Sequence, residues 1–338
     1  MKKLISAVLT ATILSAALVG CGGASPSTSA AGSSGKEASP AAQTSEYPSF
    51  PVSVVVPFSA GGGTDLVTRA IVDAAKDKFP KNISVENRTG GGGAIGMVYG
   101  ANAKPDGSII TTVCVELTTL PHTGTGATLQ SDYFKPVMMM NSAYSVLTVK
   151  ADAPWNDLKE FIEYAKTNKV QIGNSGVGAI WHLAAAALGK EAGVDFVHVP
   201  FEGAAPAVTS ILGGHIEAVT VSYPEVAPQV EAGELKVLAV LAPERLKALP
   251  DVPTAKESGY DVAVGTWRGF GVPKDTPDET VKAIYDIFSE ASNAPSFVEF
   301  METNNLDIDV LDSKGFTERI ASDDEMFKTL ISDLGLAK

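Results

Sequence analysis

The chain has 338 residues, 45% of them hydrophobic, and a formal net charge of −13. That supplies a true core for one large or two medium domains. The acidic balance argues against a nucleic-acid partner, because phosphate contacts need basic side chains.

In chain order, Lys2 and Lys3 precede an apolar stretch over 4–19 that closes on Leu18-Val19-Gly20-Cys21. The stretch is short for a membrane span and has the plan of a secretory signal. A small residue before Cys at such an end resembles a bacterial lipobox. The resemblance implies removal of residues 1–20 and lipid on Cys21, with an uncleaved anchor as the alternative. Loss of Lys2 and Lys3 makes the net charge −15. Residues 22–46 contain no Val, Ile, Leu or Phe. They predict a flexible tether, 21–46, spanning roughly 25–30 Å, which would hold the folded part near a membrane but clear of it.

The strongest local signal follows. Residues 54–56 are an apolar run that predicts a buried strand. Gly61, Gly62 and Gly63 come next. Thr64 and Asp65 then open a helix with Leu66, Ala70, Ile71, Ala74 and Phe79 on one face. Strand, glycine turn and helix start present backbone N–H groups at the positive end of a helix dipole, which attracts an anion. The alternative is a plain βα turn with Thr64 or Asp65 as a cap. The segment lacks the Lys-Ser/Thr of a P-loop and is not G-x-G-x-x-G.

Residues 83–86 predict a strand that runs into Asn87-Arg88-Thr89-Gly90-Gly91-Gly92-Gly93, a second glycine-rich turn before an Ala-rich helix. Strands are predicted over 109–115, 144–149, 170–173, 196–199, 218–221 and 235–241. Helices are predicted over 155–167, 181–192, after the 200–206 segment to Gly213, and then over 279–293, 295–304 and 313–334. The alternation defines an α/β fold with helices over largely parallel strands. Ligands of open α/β sheets bind at turns after strands, and Asn174-Ser175-Gly176-Val177-Gly178 is such a turn. The sequence shows no disulfide pairing, because only Cys114 remains beside Cys21. His122, His182, His198 and His215 have no metal-ligand spacing. No cofactor, metal or catalytic set is predicted.

Val-Pro-Phe-Ser-Ala-Gly-Gly-Gly-Thr-Asp at 56–65, Glu86-Asn87-Arg88-Thr89-Gly90, Pro105-Asp106-Gly107, Gly173-Asn174-Ser175-Gly176 with His182-Leu183-Ala184, His198-Val199-Pro200-Phe201, Ala232-Gly233-Glu234-Leu235 and Leu249-Pro250-Asp251-Val252-Pro253-Thr254 occur in this order. Together they resemble the substrate-binding proteins of tripartite tricarboxylate transporters, also called Bug receptors, over residues 47–338. The resemblance implies a two-lobed type II periplasmic-binding-protein fold. Lobe 1 would be 47–146 and 268–338, lobe 2 would be 147–267, with crossings near 145–150 and 264–270. It also implies a small carboxylate clamped between the lobes, and delivery to a membrane permease.

On that reading the ligand meets Phe58, Ser59, Ala60, Gly61, Gly62, Thr64 and Asp65 in one loop. Asn174, Ser175, Gly176 and Gly178 meet it in the other, with Cys114, Val115, Glu116, Phe201, Gly203, Ala204, Tyr223 and Trp267 completing the cleft. Backbone N–H groups of 58–65 and 174–178 would hold its carboxylate, so Val at Gly62 or Gly176 should weaken binding.

The chain departs from the family pattern at Cys114-Val115-Glu116-Leu117, at Phe201-Glu202-Gly203 and at Arg268. Asp65 either pairs with Arg69 on its helix or faces the cleft. Glu116 is either solvent-exposed or ligand-facing, Arg268 either an anion partner or a surface residue. Cys114 reads as a small buried residue, His182 as structural, and Tyr223-Pro224 as a turn on a cleft wall. Acids at 65 and 116 would favour a mono-carboxylate with a polar or cationic second end over citrate. Two other functions stay open: a receptor for a membrane sensor, and a secreted hydrolase using Ser175 with His182, which lacks a G-x-S-x-G elbow.

Overall fold

The computed structural model of the protein describes residues 47–125 and 128–337. The leader, Cys21 and the tether lie outside the described residues. The elements run β1 (Val52–Val56), α1 (Gly63–Ala75), β2 (Ile83–Asn87), α2 (Ala94–Ala101), β3 (Ile109–Cys114), α3 (Glu116–Thr123), β4 (Phe134–Lys150), α4 (Leu158–Ala165), β5 (Gln171–Asn174) and α5 (Ile180–Ala192). They continue through β6 (Val197–Pro200), α6 (Ala204–Leu212), β7 (Ala218–Ser222), α7 (Ala227–Glu231), β8 (Leu235–Leu241), β9 (Gly265–Pro273), α8 (Asp278–Ala291), α9 (Pro295–Thr303) and α10 (Ser313–Asp333).

The architecture is α/β and two-lobed. The strand order is β2-β1-β3-β9-β4-β7-β5-β6, with β8 also on β4. β1 lies parallel between β2 and β3, and Val54, Val55 and Val56 are fully buried, as a parallel strand covered on both faces requires. β4 joins the lobes. Its residues 134–144 pair with β9, and its residues 145–150 pair with β7 and β8. Partners therefore change between Tyr144 and Ser145. On the return, β9 pairs with β3 and β4 from Gly265 onward.

Two buried hydrophobic clusters form the core. One cluster joins β1, α1, β9, α8 and α9 through Val54, Ile71, Phe270, Phe288 and Phe297. The other fills the region of β5–β8 and continues through Met97, Val113 and Leu117 and, under α10, through Trp267 and Phe316. The buried face of α1 is Val67, Thr68, Ile71, Val72 and Ala75; Leu66, Ala70 and Ala74 are only half-buried. This corrects the periodicity reading. α1 packs against α8 and α9 as well as the sheet, so its buried stripe is rotated and wide.

Three elements escape the sequence patterns. The first half of β4 contains Pro136, which argues against a strand, and the pairing register shifts there. β9 is rich in glycine, yet Gly269 sits where a Cβ would lie 2.4 Å from the Met138 carbonyl and from Phe316; close packing of β9 excludes a side chain at that position. α3 contains Pro121 and follows β3 with no loop long enough to announce it.

Candidate functional site

The carboxyl end of β1 turns through 57–62 into α1, and Gly63 opens that helix. Across the cleft, β5 turns through 175–179 into α5, opened by Ile180. The two helix starts face a common cavity of about 20 Å³, room for about one water molecule. Phe58, Gly62, Gly63, Thr64, Glu116, Ser175, Ile180, Trp181, Ala204, Glu225, Thr266 and Arg268 line it.

The cleft is shut. Ser59 donates its N–H and its hydroxyl to the Glu202 carbonyl, at 3.1 and 2.6 Å. The Gly63 N–H donates to Glu225 Oε1 at 2.9 Å. The Ile180 N–H donates to Glu116 Oε1 at 3.1 Å. Gly176 has φ +133°, and a Cβ there would lie 2.8 Å from Gly92 Cα. Its lack of a side chain lets the two glycine turns touch.

Both helix N-termini thus already hold a carboxylate of the protein itself. Glu225 is fixed by a capping box: Oε2 accepts the Ser222 N–H and hydroxyl, both at 2.8 Å, which leaves Oε1 for Gly63. Glu116 opens α3 and is buried. Burial is the largest influence on its carboxyl and pushes the pKa up to about 7, against the pull of the Ile180 N–H and Arg268.

Arg268 reaches the cavity from β9 and is buried. Its Nε donates to Thr64 Oγ1 at 3.1 Å, its Nη1 donates to Asn141 Oδ1 at 2.6 Å, and Nη2 lies 4.0 Å from Glu225 Oε1. Two directional hydrogen bonds, with the Glu225 carboxylate nearby, set the plane and position of the guanidinium before any ligand arrives.

The anticipated residues divide. Phe58, Gly62, Thr64, Glu116, Ser175 and Ala204 line the cavity. Asp65 does not: its oxygens accept from Arg69 Nε, Asn87 Nδ2 and the Gly61 N–H. Burial alone would raise its pKa, but these donors outweigh it and hold the carboxyl below the ordinary range. Ala60 and Gly61 are exposed. Asn174 lies under the second turn, its Oδ1 accepting the Gly176 N–H, and the Gly178 N–H donates to His182 Nδ1. Phe201 and Gly203 pack around the turns, with the Phe201 N–H on the Asn174 carbonyl and Gly203 beside Ser59. Cys114 is buried beneath the cavity, and the Val115 N–H bonds the Trp267 carbonyl. Trp267 is fully buried, edge-on to Phe316, with Nε1 donating to Asp323 at 2.7 Å. Tyr223 lines a different groove of about 520 Å³ with Tyr144, Pro224 and Leu246.

Glu225, Gly63, Ile180, Trp181 and Thr266 line the cavity without a sequence signal that placed them there, and the sequence alone allows Arg268 to be either an anion partner or a surface residue. The Ser-x-x-Glu capping signature at 222–225 was the available signal for Glu225. The hydrolase alternative loses its geometry. Among the described residues Ser175 Oγ has no hydrogen-bond partner, and His182 Nδ1 takes the Gly178 amide. Burial first, and His198 second, push the His182 pKa down to about 4.

The family model described as the tripartite tricarboxylate transporter family receptor matches residues 67–336. Solved structures agree. A TctC solute-binding protein from Polaromonas is 40% identical, with a TM-score of 0.63, covering 85% of this chain and 99% of its own. The periplasmic binding protein BugD is 30% identical, with a TM-score of 0.81, over 86% of this chain and 100% of its own. MatC from Rhodopseudomonas palustris, solved with bound malate, is 25% identical, with a TM-score of 0.78, over 84% and 100%. Fold and cleft define a two-lobed periplasmic-type binding protein. This chain belongs to the tripartite tricarboxylate transporter receptor family, and is an extracytoplasmic solute-binding receptor, not an enzyme.

Proposed function

We propose that this receptor captures a small carboxylate in the cleft between its lobes and delivers it to a tripartite tricarboxylate-type permease. The observation that carries this reading is the buried, fixed Arg268 guanidinium, with Nη2 at the same cavity where two helix N-termini converge. A desolvated guanidinium whose Nη2 makes no hydrogen bond suits a carboxylate better than any neutral solute. The malate in MatC is a small carboxylate of this kind. Lobe 1 comprises 47–146 and 268–338 and lobe 2 comprises 147–267 in this proposal, supported by the change of β4 partners after Tyr144. The 20 Å³ cavity is smaller than any such solute, so binding requires the lobes to part and close again.

Calorimetric titration with small carboxylates tests the reading. At about 100 times its dissociation constant, a bound acid should stabilise the receptor by roughly 2.7 kcal/mol. Recovery of a chemically changed acid would contradict it. Membrane tethering through lipid on Cys21 is part of the same proposal and rests on the lipobox-like segment. Cys21→Ala should release the protein from the membrane fraction, and unchanged association would rule the anchor out. A sensor as the downstream partner remains the second reading, and solute uptake by cells lacking the permease would favour it over delivery.

A further inference from the structure

Two ionisable groups at the cavity each have one polar atom without a hydrogen bond among the described residues. Arg268 engages Thr64 through Nε and Asn141 through Nη1, but Nη2 makes no hydrogen bond. Glu116 engages the Ile180 N–H through Oε1, but its buried Oε2 accepts nothing. One is a cationic donor and the other an anionic acceptor. Ser175 Oγ, also buried and unpartnered, lies at the same cavity.

We propose that the cleft selects a zwitterion, a small acid whose single carboxylate meets Arg268 Nη2 and whose ammonium meets Glu116 Oε2. This rests on the reading of the cleft as a carboxylate site and names the class of acid. Both helix N-termini already hold protein carboxylates, from Glu225 and Glu116. A second ligand carboxylate would therefore meet acids where it needs donors. The ionisable side chains lining the cavity are Arg268, Glu116 and Glu225. With both acids ionised their sum is one negative charge, which a zwitterion leaves unchanged and a dianion makes three. Like charges in a desolvated site repel far more than in water, and an unpartnered buried carboxylate is itself unfavourable. An ammonium relieves both.

Proton linkage separates the two ligand classes. Glu116 is faced by Arg268 from β9, by Glu225 from the turn after β7, by the Cys114 thiol from β3 and by the Ile180 N–H of α5. Its carboxyl changes charge near pH 7. An ammonium binds the ionised form. A second carboxylate binds only the protonated form, which can donate a hydrogen bond. The two classes therefore have opposite pH dependence.

The experiment is calorimetric titration of the full chain at pH 6 and pH 8 with three matched pairs: alanine and methylmalonate, 4-aminobutanoate and glutarate, 6-aminohexanoate and pimelate. Within each pair an ammonium replaces a carboxylate. At least one amino acid should bind more tightly than its partner at pH 8, with affinity about tenfold higher at pH 8 than at pH 6. Glu116→Gln should remove that pH dependence and weaken the amino acid tenfold or more at pH 8. If that variant does not fold, as judged by circular dichroism, the pH profile of the unmodified protein decides alone. Tighter binding of the diacids at pH 8, or amino-acid binding with a flat pH profile in the unmodified protein, overturns the inference and leaves the carboxylate receptor standing. Failure of all six to bind overturns the inference, and binding of malate in the same titration would then leave the carboxylate receptor standing.

Discussion

Glu116→Gln in the ligand-free protein makes the energetics of the cleft measurable. The Glu116 carboxyl has an ordinary pKa near 4.5, which burial raises to about 7. The folded protein therefore holds a proton that the unfolded chain releases. The stabilising linkage is full below pH 4.5 and is lost as pH rises through 7. A shift of about 2.5 units corresponds to roughly 3 kcal/mol, of which roughly 2–3 kcal/mol should disappear between pH 5 and pH 8. Glutamine keeps an oxygen for the Ile180 N–H and carries no charge. Urea unfolding of both proteins at pH 5 and pH 8 reads the difference, because every other titrating group, His182 included, is common to both and cancels. Relative to the unmodified protein, the variant should gain roughly 2–3 kcal/mol on going from pH 5 to pH 8. An equal stability gap at the two pH values would refute the claim that Glu116 is a desolvated acid.

Three further expectations follow from the same geometry. Gly63→Ala places a methyl 2.8 Å from Arg268 Nη2 and 3.1 Å from Glu225 Oε1; it should weaken acid binding more than tenfold, about 1.4 kcal/mol, and unchanged titration would show that the ligand does not use this wall. Asp323→Ala leaves the buried Trp267 Nε1–H without its acceptor and should lower unfolding stability by about 1–3 kcal/mol, measured by urea titration, with no loss under 0.5 kcal/mol being expected on that estimate. Asp65→Asn removes a carboxyl held below its ordinary pKa, whose stabilisation is present above pH 3.8 and fades as pH falls further; acid unfolding should begin at higher pH, while acid affinity stays within about twofold, and a large affinity loss would return Asp65 to the cleft.

Much of the fold was legible because the chain announces it locally. The apolar run at 54–56, three glycines and a polar helix start form one βα unit in the sequence and in the structure. The unread parts depend on tertiary packing. In β9, Gly269 is pressed by Met138 and Phe316, Gly265 by Ala143 and Tyr144, and Gly271 by Val113 and Phe134, contacts with no local signature. In the site, Trp267 and Arg268 are neighbours on a strand, so their side chains point to opposite faces. The resemblance suggested Trp267 for the cleft; the pleat sends it under α10 and delivers Arg268 to the cavity. Glu225 lies far in sequence from the glycine turn it caps. Its capping box was readable, but that its free oxygen meets the Gly63 N–H is a long-range contact with no local signature.

The central claim is that a carboxylate binds where the two helix starts and Arg268 meet. The most direct measurement is a crystal structure of the receptor saturated with the tightest binder of the six acids. The account predicts a ligand carboxylate within hydrogen-bond distance of Arg268 Nη2, enclosed by Gly63 and Ser175. An acid seated instead in the groove beside Tyr223 and Leu246, with Arg268 Nη2 untouched, would contradict it.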